Sequence, residues 1–300
     1  MAKRAARGKR ITVGGVNVVT HPHSADTYIA LFNSAFELKL TVAVFGEQRM
    51  LLSSLNFSRA DEGFITGTIA RFTEIDFDLP WFDSENMDIA SENATKSISI
   101  PASLKPNYVP LNFVFFTNEH TFVFVQKAEQ VTVSPGIMFR YLERLFASTQ
   151  LAEKYGPVEI TLIADKERLH EIVGIKYLRE LRIFVKRPNP DDLGSYDDEI
   201  ERRLARMRAS SAEVVYKTDR KESLVADDAT MELADVATRN GRVEASGYDE
   251  EGLPVRRSTA EHPLLVSEWF ADRGSIGIGE LLDAGKKLLS IMTRKNGMDE

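Results

Sequence analysis

The sequence contains no cysteine. Disulfide bonds, thiolate nucleophiles, iron–sulfur clusters and cysteine-ligated zinc sites are therefore excluded, and a reducing, cytoplasmic setting is the simplest expectation. Long apolar segments are absent too, because no run approaches the roughly 18 residues that a membrane-spanning helix needs. The basic N-terminus is not followed by the apolar segment of a signal peptide. We therefore expect no membrane insertion.

Positive charge is also in deficit, since 38 Lys and Arg residues stand against 45 Asp and Glu residues and the formal net charge is −7. A globally basic nucleic-acid-binding protein is excluded, although a local cluster of one sign can still bind an anion. Hydrophobic residues make up 43% of the chain and charged residues 28%, which is typical of a folded globular protein. A length of 300 residues allows two ordinary domains or one large one.

The order of predicted elements changes near residue 133. Residues 11–133 indicate one helix among many strands, including an aromatic hairpin, LNFVFF and TFVFVQK, around a four-residue turn. Residues 134–300 alternate helices with strands. We predict an α+β fold, with a strand-rich N-terminal domain at 11–133 and a mixed α/β sandwich at 134–300, for which a ferredoxin-like arrangement is one candidate. Residues 1–10 hold five Lys or Arg residues and no acid, which predicts a flexible basic arm.

The segment THPHSAD raises the possibility of a metal site. His21 and His23 lie one residue apart, with Asp26 nearby, and could supply ligands for zinc or iron. A strand-to-helix corner explains the same residues better, because Ser24 is a favourable N-cap and a carboxylate is stabilised in the first turn of a helix. We expect the corner and keep His21 and His23 as minority metal candidates.

A second candidate site lies in FTEIDFDLPWFD. On a strand, Glu74, Asp76 and Asp78 would point to one face, and three carboxylates could hold Mg²⁺ or Mn²⁺ for phosphodiester cleavage. The alternative is an edge strand whose charged face lies in water. We favour the edge strand, so no metal or other cofactor is expected unless the protein is a nuclease. The acidic stretch 78–93 that follows has the composition of a long loop.

Basic residues cluster in the second half of the chain. Four arginines fall within two turns of one predicted helix, SYDDEIERRLARMRASS, and others follow on the next strand and loop and on a late hairpin. If they converge, they form a phosphate-binding surface whose affinity falls steeply with salt. The alternative is a solvated helix with Glu199–Arg203 pairs. The candidate nucleic-acid-binding residues are Arg202, Arg203, Arg206, Arg208, Lys217, Arg220, Lys221, Arg256 and Arg257.

Several motifs that carry chemistry are absent. The sequence has no phosphate-binding loop of the G-x-x-x-x-G-K-[ST] type and no G-x-G-x-x-G after a strand. It also has no G-x-S-x-G nucleophile elbow and no H-E-x-x-H zinc motif. Catalytic residues are therefore not assigned, and we lean toward a protein that is not an enzyme.

Two resemblances add to this interpretation. The segments VNVVTHPHSADTYIALFNSAF and FITGTIARFTEIDFDLPWFD resemble an uncharacterised bacterial and phage family with His-Pro-His and Pro-Trp-Phe patterns. That resemblance covers roughly residues 11–185 and implies no activity.

The order of elements over residues 135–270 resembles that of RexA-type phage-exclusion proteins, carried by LRELRIFVKRPNPDDL, VADDATMELADVATRNGRVEASGYDEEG and AEHPLLVSEWF. This resemblance implies a dimeric DNA-binding protein that acts against superinfecting phage. It carries over a basic region only and assigns no single residue.

Taken with the basic clusters, these resemblances favour a nucleic-acid-binding component of a phage or prophage defence system. We expect largely sequence-independent contact, DNA as the nucleic acid, a homodimer and a possible second protein of a defence operon. Two alternatives stay open. One is a metal-dependent nuclease that uses Mg²⁺ or Mn²⁺, and the other is a sensor or adaptor that acts through protein partners.

Overall fold

The computed structural model describes residues 8–21, 23–96, 98–128, 131–188, 195–219, 222–271 and 277–293. Predictions that concern residues 1–7, Pro22, Arg220 and Lys221 lie outside these ranges. Within them, strands and helices occur in mixed order around a large antiparallel sheet, and the predicted α+β class is confirmed. None of the helices in the described ranges has the length and apolar character needed to cross a membrane.

The strands are β1 (Lys9–Val19), β2 (Val42–Phe45), β3 (Gln48–Asn56), β4 (Phe64–Thr73), β5 (Phe82–Asp83), β6 (Asp88–Ile89), β7 (Val109–Phe116), β8 (Thr121–Ala128), β9 (Val131–Thr132), β10 (Glu159–Leu162), β11 (Tyr177–Lys186), β12 (Ser211–Lys217), β13 (Gly241–Tyr248), β14 (Pro254–Ser258) and β15 (Leu265–Phe270). The helices are α1 (Ala25–Glu37), α2 (Glu92–Lys96), α3 (Pro135–Phe146), α4 (Thr149–Tyr155), α5 (Leu169–Val173), α6 (Ser195–Met207), α7 (Asp228–Asn240) and α8 (Ile278–Thr293).

Nine strands form one large antiparallel sheet. Its order is β10–β1–β8–β7–β4–β3–β2, with β15 paired to β1 and β9 paired to β8. The long strand β1 has β8 along one side, and along the other side it has β15 over residues 9–14 and β10 over residues 16–19. Strands from the middle and the end of the chain therefore complete the sheet that the first strand begins.

The central strands of the large sheet, β1, β4, β7 and β8, are buried on both faces, which explains their almost continuous apolar sequences. Alternate residues of a strand point to opposite faces. Phe113, Phe115, Phe122 and Phe124 pack with α1, α3 and α4 on one face, where Phe32 lies 4.7 Å from Phe115 between ring centroids. On the other face, the residues between these phenylalanines pack under α8.

Helix α8 lies close to the second face of the sheet. Leu281, Leu282 and Leu288 are buried there. Gly285 allows the close approach, because a Cβ atom on it would lie 2.9 Å from the ring of Phe116. This helix and β15 both follow residue 133 in the chain, so the large sheet draws on both sides of the predicted domain boundary, which itself stays a prediction.

A second sheet of four strands has the order β12–β11–β13–β14, and all its neighbours are antiparallel. Leu181, Ile183 and Val243 point to one face and pack with Ala234 and Ala237 of α7. The order differs from a ferredoxin-like arrangement, because β11 and β12 are joined by α6 and yet are direct antiparallel neighbours. The face of this sheet away from α7 carries charged side chains.

The two sheets meet at β10 and at the end of α7. Lys186 of β11 pairs with Glu159 at 2.7 Å and donates a hydrogen bond from Nζ to the carbonyl of Ile160 at 3.1 Å. Asn17 of β1 donates from Nδ2 to Oδ1 of Asn240 at 2.8 Å, with both side chains buried. These polar contacts position the second sheet, and the helices that it carries, against the end of β1.

Packing of α8 on the sheet gives a direct stability test. We expect Leu288→Ala to lower the free energy of unfolding by about 2–5 kcal/mol, because it removes buried methyl groups and leaves a cavity between α8 and β1. The exposed neighbour Lys286→Ala should change it by about 0.5 kcal/mol or less. Urea denaturation of both variants measures the difference, and equal midpoints would contradict the packing of α8.

Candidate nucleic-acid interface

Helix α6 has one buried side, which fixes the direction of its arginines. Asp197 and Leu204 are buried, and Glu201 is nearly so. Asp197 pairs with Arg239 of α7 at 2.6 Å, and Glu201 pairs with Arg187 after β11 at 2.6 Å. Residues spaced by three and four positions share one side of a helix, so the side opposite these contacts faces solvent.

The solvent side and the C-terminal end of α6 carry four exposed arginines, which we call the α6 arginine patch: Arg202, Arg203, Arg206 and Arg208. Arg202 donates from Nε to the carbonyl of Asp198 at 3.0 Å, and Arg206 donates to the carbonyl of Arg202 at 3.3 Å. Among the residues that the structure describes, no carboxylate forms an ion pair with any member of the patch. The Glu199–Arg203 pair of the alternative interpretation is not formed.

Two electrostatic factors favour cations at this position. The C-terminal end of a helix carries a partial negative charge, which stabilises arginine side chains in the last turn. A guanidinium group remains charged at all accessible pH values and presents a planar fork of donors that matches a phosphate. The patch can therefore bind phosphate oxygens without first releasing a carboxylate.

Lys217 and Arg256 lie elsewhere, on the open face of the four-stranded sheet. Glu180 pairs with Arg182 at 2.9 Å and with Lys217 at 3.3 Å. The hydrogen bond from Arg182, followed by that from Lys217, lowers the pKa of the Glu180 carboxyl. Arg256 pairs with Glu244 at 2.7 Å. A depression of about 480 Å³ lies between these pairs, but its cations are already neutralised.

Those predicted basic residues that the structure describes therefore do not converge on one surface. Arg257 points to the face opposite Arg256 because successive residues of a strand alternate, and it donates to the carbonyl of Glu171. Helix α6 contacts α7, which covers that same face of the sheet. The structure thus brings the four α6 arginines together and separates them from Lys217 and Arg256.

Sequence reasoning missed the ion pair that anchors α6. Asp197 is 3% exposed, and burial raises the pKa of its carboxyl while Arg239 opposes that rise. Asp235, one helical turn before Arg239, is 3.8 Å from the same guanidinium. The only sequence signal was an aspartate in the first turn of a charged helix, which is also typical of a helix exposed to solvent.

The structure places the histidines at a corner, as the preferred interpretation predicted. The Ser24 side chain accepts a hydrogen bond from the Thr27 amide at 3.1 Å and caps α1. His23 lies near His120 of the β7–β8 turn, with ring centroids 4.9 Å apart and the planes edge to face, and near His21 at 6.2 Å. His23 thereby packs the start of α1 against the β7–β8 turn.

The carboxylates of FTEIDFD do not share a strand face, so that expectation was wrong. Strand β4 ends at Thr73, and the Glu74 amide turns to the carbonyl of Glu47. Glu74 pairs with Lys105, and the Asp76 side chain accepts the amide of Asp78 in a tight turn. Across the described ranges, no group of three or more His, Asp or Glu side chains is arranged to hold a metal ion.

His21 connects the end of β1 to the second sheet and gives a prediction about pH. Burial, then the charge of Arg187, lowers the pKa of His21 below its ordinary value of 6.5. A histidine whose pKa is lower in the folded state than in the unfolded state contributes its full stability above the unfolded-state pKa. That stability is lost as the pH falls through the folded-state pKa.

We therefore expect the urea concentration at the midpoint of unfolding to decrease as the pH is lowered from about 8 to about 5. The decrease should be smaller in His21→Gln. Urea denaturation at several pH values measures this. The exposed His170→Gln is the matched control and should retain the wild-type dependence. An identical pH dependence in His21→Gln and wild type would contradict the assignment.

Comparisons with known proteins place the chain in a family without assigning an activity. The family described as "Domain of unknown function (DUF4747)" matches residues 9–281. A search of curated proteins finds none that matches. The match covers both sheets and nearly all the described residues, which is well over half of the 300 residues. This protein therefore belongs to the uncharacterised DUF4747 family.

Proposed function

We propose that this protein binds nucleic acid, mainly through the phosphate backbone, and that the α6 arginine patch is the principal contact. The observation that carries the proposal is the group of four exposed arginines within seven residues, none with a carboxylate partner among the described residues. Backbone phosphates are the commonest partners of such groups in protein–nucleic acid complexes. Contact with phosphates alone gives affinity without sequence preference.

The positioning of α6 supports this role. Its buried side is fixed by the Asp197–Arg239 and Glu201–Arg187 pairs, so Arg202 and Arg206 project from a restrained helix. Residues four apart lie on the same side of a helix, with Cβ atoms about 6 Å from each other, so both arginines face the same approaching phosphate backbone. Lys217 and Arg256 would contact a phosphate only if each first released its ion pair with a glutamate.

The biological setting that we propose is phage or prophage defence in the cytoplasm. Support comes from the resemblance of residues 135–270 to RexA-type phage-exclusion proteins, which are dimeric DNA-binding proteins. DNA is accordingly the proposed nucleic acid, the proposed assembly is a homodimer, and a second protein of a defence operon is a possible partner. The metal-dependent nuclease has no comparable support, because Glu74 is ion-paired and Asp76 caps a turn.

Reversal of the patch charge tests the proposal. We expect Arg202→Glu/Arg206→Glu to weaken binding of labelled duplex DNA. The negative slope of log K against log salt concentration should become less steep by about 2, because two phosphate contacts are lost. Fluorescence anisotropy with duplex DNA, single-stranded DNA and RNA, at two salt concentrations and with or without Mn²⁺, measures this.

Lys127→Glu/Lys286→Glu is the matched control, since both lysines are exposed on the large sheet and its helix and the charge change is the same. It should reduce affinity only slightly. Equal losses in the two double variants would show a diffuse charge effect and count against the patch. Probe cleavage that depends on Mn²⁺ would instead favour the nuclease alternative.

A further inference from the structure

A second surface, unrelated to the arginines, lies between β4 and β7. Residues 74–96 and 98–108 form an extension that we call the acidic–aromatic arm; it contains the two-residue strands β5 and β6 and the short helix α2. Its turns are held by local hydrogen bonds, such as that from the Ala90 amide to the carbonyl of Trp81 at 2.7 Å. The ion pair of Glu74 with Lys105 closes its base.

The arm exposes large apolar side chains at high density. Phe82 is 67% exposed, Met87 76% and Ile89 71%, and all three belong to the β5–β6 hairpin or its turn. Phe77 and Trp81 stack with ring centroids 6.1 Å apart. Leu79, Leu104 and Tyr108 are exposed as well. A concentration of exposed apolar and aromatic side chains of this kind marks an interaction surface.

The charge of the arm restricts its partner. Residues 74–108 contain seven Asp or Glu residues and two Lys residues, a formal net charge of −5. Both lysines are paired within the arm, Lys96 with Glu92 and Lys105 with Glu74. A complementary partner surface must therefore be positive and must also offer apolar contact. The negative charge of the arm repels nucleic acid.

The α6 arginine patch has both properties. Its four arginines are not neutralised by described carboxylates, and Met207, between Arg206 and Arg208, is 67% exposed. Arginine, methionine and aromatic residues are the types enriched at protein–protein interfaces. The arm and the patch therefore match in sign of charge and in apolar character.

The arm and the patch are attached at opposite ends of the large sheet, so a contact within one chain would have to span the length of that sheet. The base of the arm lies at Thr73 and Val109. Because β4, β7, β8 and β1 are successive antiparallel neighbours, this is the end of the sheet where β1 begins and where Ala128 of β8 pairs with Ile11. Glu201 of helix α6 lies near the other end, because its partner Arg187 is beside His21. The eleven residues of β1 span about 35 Å at about 3.3 Å per residue.

We propose that the acidic–aromatic arm of one copy docks on the α6 arginine patch of a second copy, and that a two-fold dimer forms two such contacts. In a two-fold dimer every contact occurs twice, once from each copy. A chain that carries the arm at one end and the patch at the other can therefore form two identical arm–patch contacts with a second copy. The contact depends on the charge of the patch and not on nucleic-acid binding. Because it uses the arginines that we propose for nucleic acid, the arm and nucleic acid compete for each patch. Failure of the contact would leave the proposed nucleic-acid binding standing, whereas a monomer at all concentrations would also contradict the proposed homodimer.

The test is sedimentation equilibrium of the full chain without nucleic acid, at low and high salt. Asp78→Lys/Glu85→Lys reverses two exposed arm carboxylates whose side chains hold no turn, since only the backbone amides of these residues are used there. This variant and Arg202→Glu/Arg206→Glu should each raise the dissociation constant of the dimer about tenfold or more.

Combination of the four substitutions should bring the constant back to within about threefold of wild type, because the reversed charges attract again. Asp78→Asn/Glu85→Gln should give a smaller loss and guards against misfolding of the reversed variant. Lys127→Glu/Lys286→Glu is the charge-matched control and should change the constant far less than either double reversal, because neither lysine belongs to the arm or the patch.

Three results would overturn the proposal. One is a monomer at all concentrations. Another is a dimer whose constant neither double reversal changes. The third is a dimer that strengthens with salt and with Asp78→Lys/Glu85→Lys, which would show that the arms pair with each other through their apolar side chains.

Discussion

Strand β1 is hydrogen-bonded on both sides along most of its length, and the arrangement of the rest of the molecule depends on this pairing. Its partners come from three distant parts of the chain: β8 on one side, and β10 and β15 on the other. A strand with bonded neighbours on both sides has no open edge, so its backbone groups are satisfied within the sheet. The N-terminal and C-terminal parts of the chain are thereby held in one sheet, with helices over both faces.

This construction determines where the two functional surfaces lie. The β7–β8 hairpin and the β3–β4 hairpin turn at the end of the sheet where β1 finishes, so the connection from β4 to β7 has to emerge at the opposite end. The second sheet is attached beside β10 and carries α6 near the finishing end of β1. A negative, apolar surface and a positive, arginine-rich surface are consequently separated by the length of a strand.

Much of the fold could be predicted from local patterns. The spacing of Tyr28, Leu31 and Phe32 predicts α1, and the two aromatic runs predict β7 and β8, because burial on one side of a helix or on both faces of a sheet leaves a local trace. The end of β4 at Thr73 could not be predicted, since the alternation of FTEIDFD continues past it. Strand β15 was missed because LVSEWF mixes exposed and buried positions without a clear period.

The candidate site was predictable only in part. The arginines of α6 are visible as a cluster, but whether a carboxylate neutralises each one depends on tertiary contacts. Lys217 and Arg256 were indistinguishable from them by sequence, and they are paired with Glu180 and Glu244 across neighbouring strands. The contact of His23 with His120 likewise depends on the antiparallel register of β1 and β8, which brings a residue 97 positions away in the chain to the same corner.

Hydrogen exchange of the β1 amides tests the central claim most directly, namely that residues from both ends of the chain complete one sheet. The account predicts that the amides from Ile11 to Val19 are all protected and exchange together, at the rate of global unfolding, because both sides of the strand are bonded. An alternating pattern over residues 9–14, with every second amide exchanging rapidly, would show that the β15 side is open and would contradict the account.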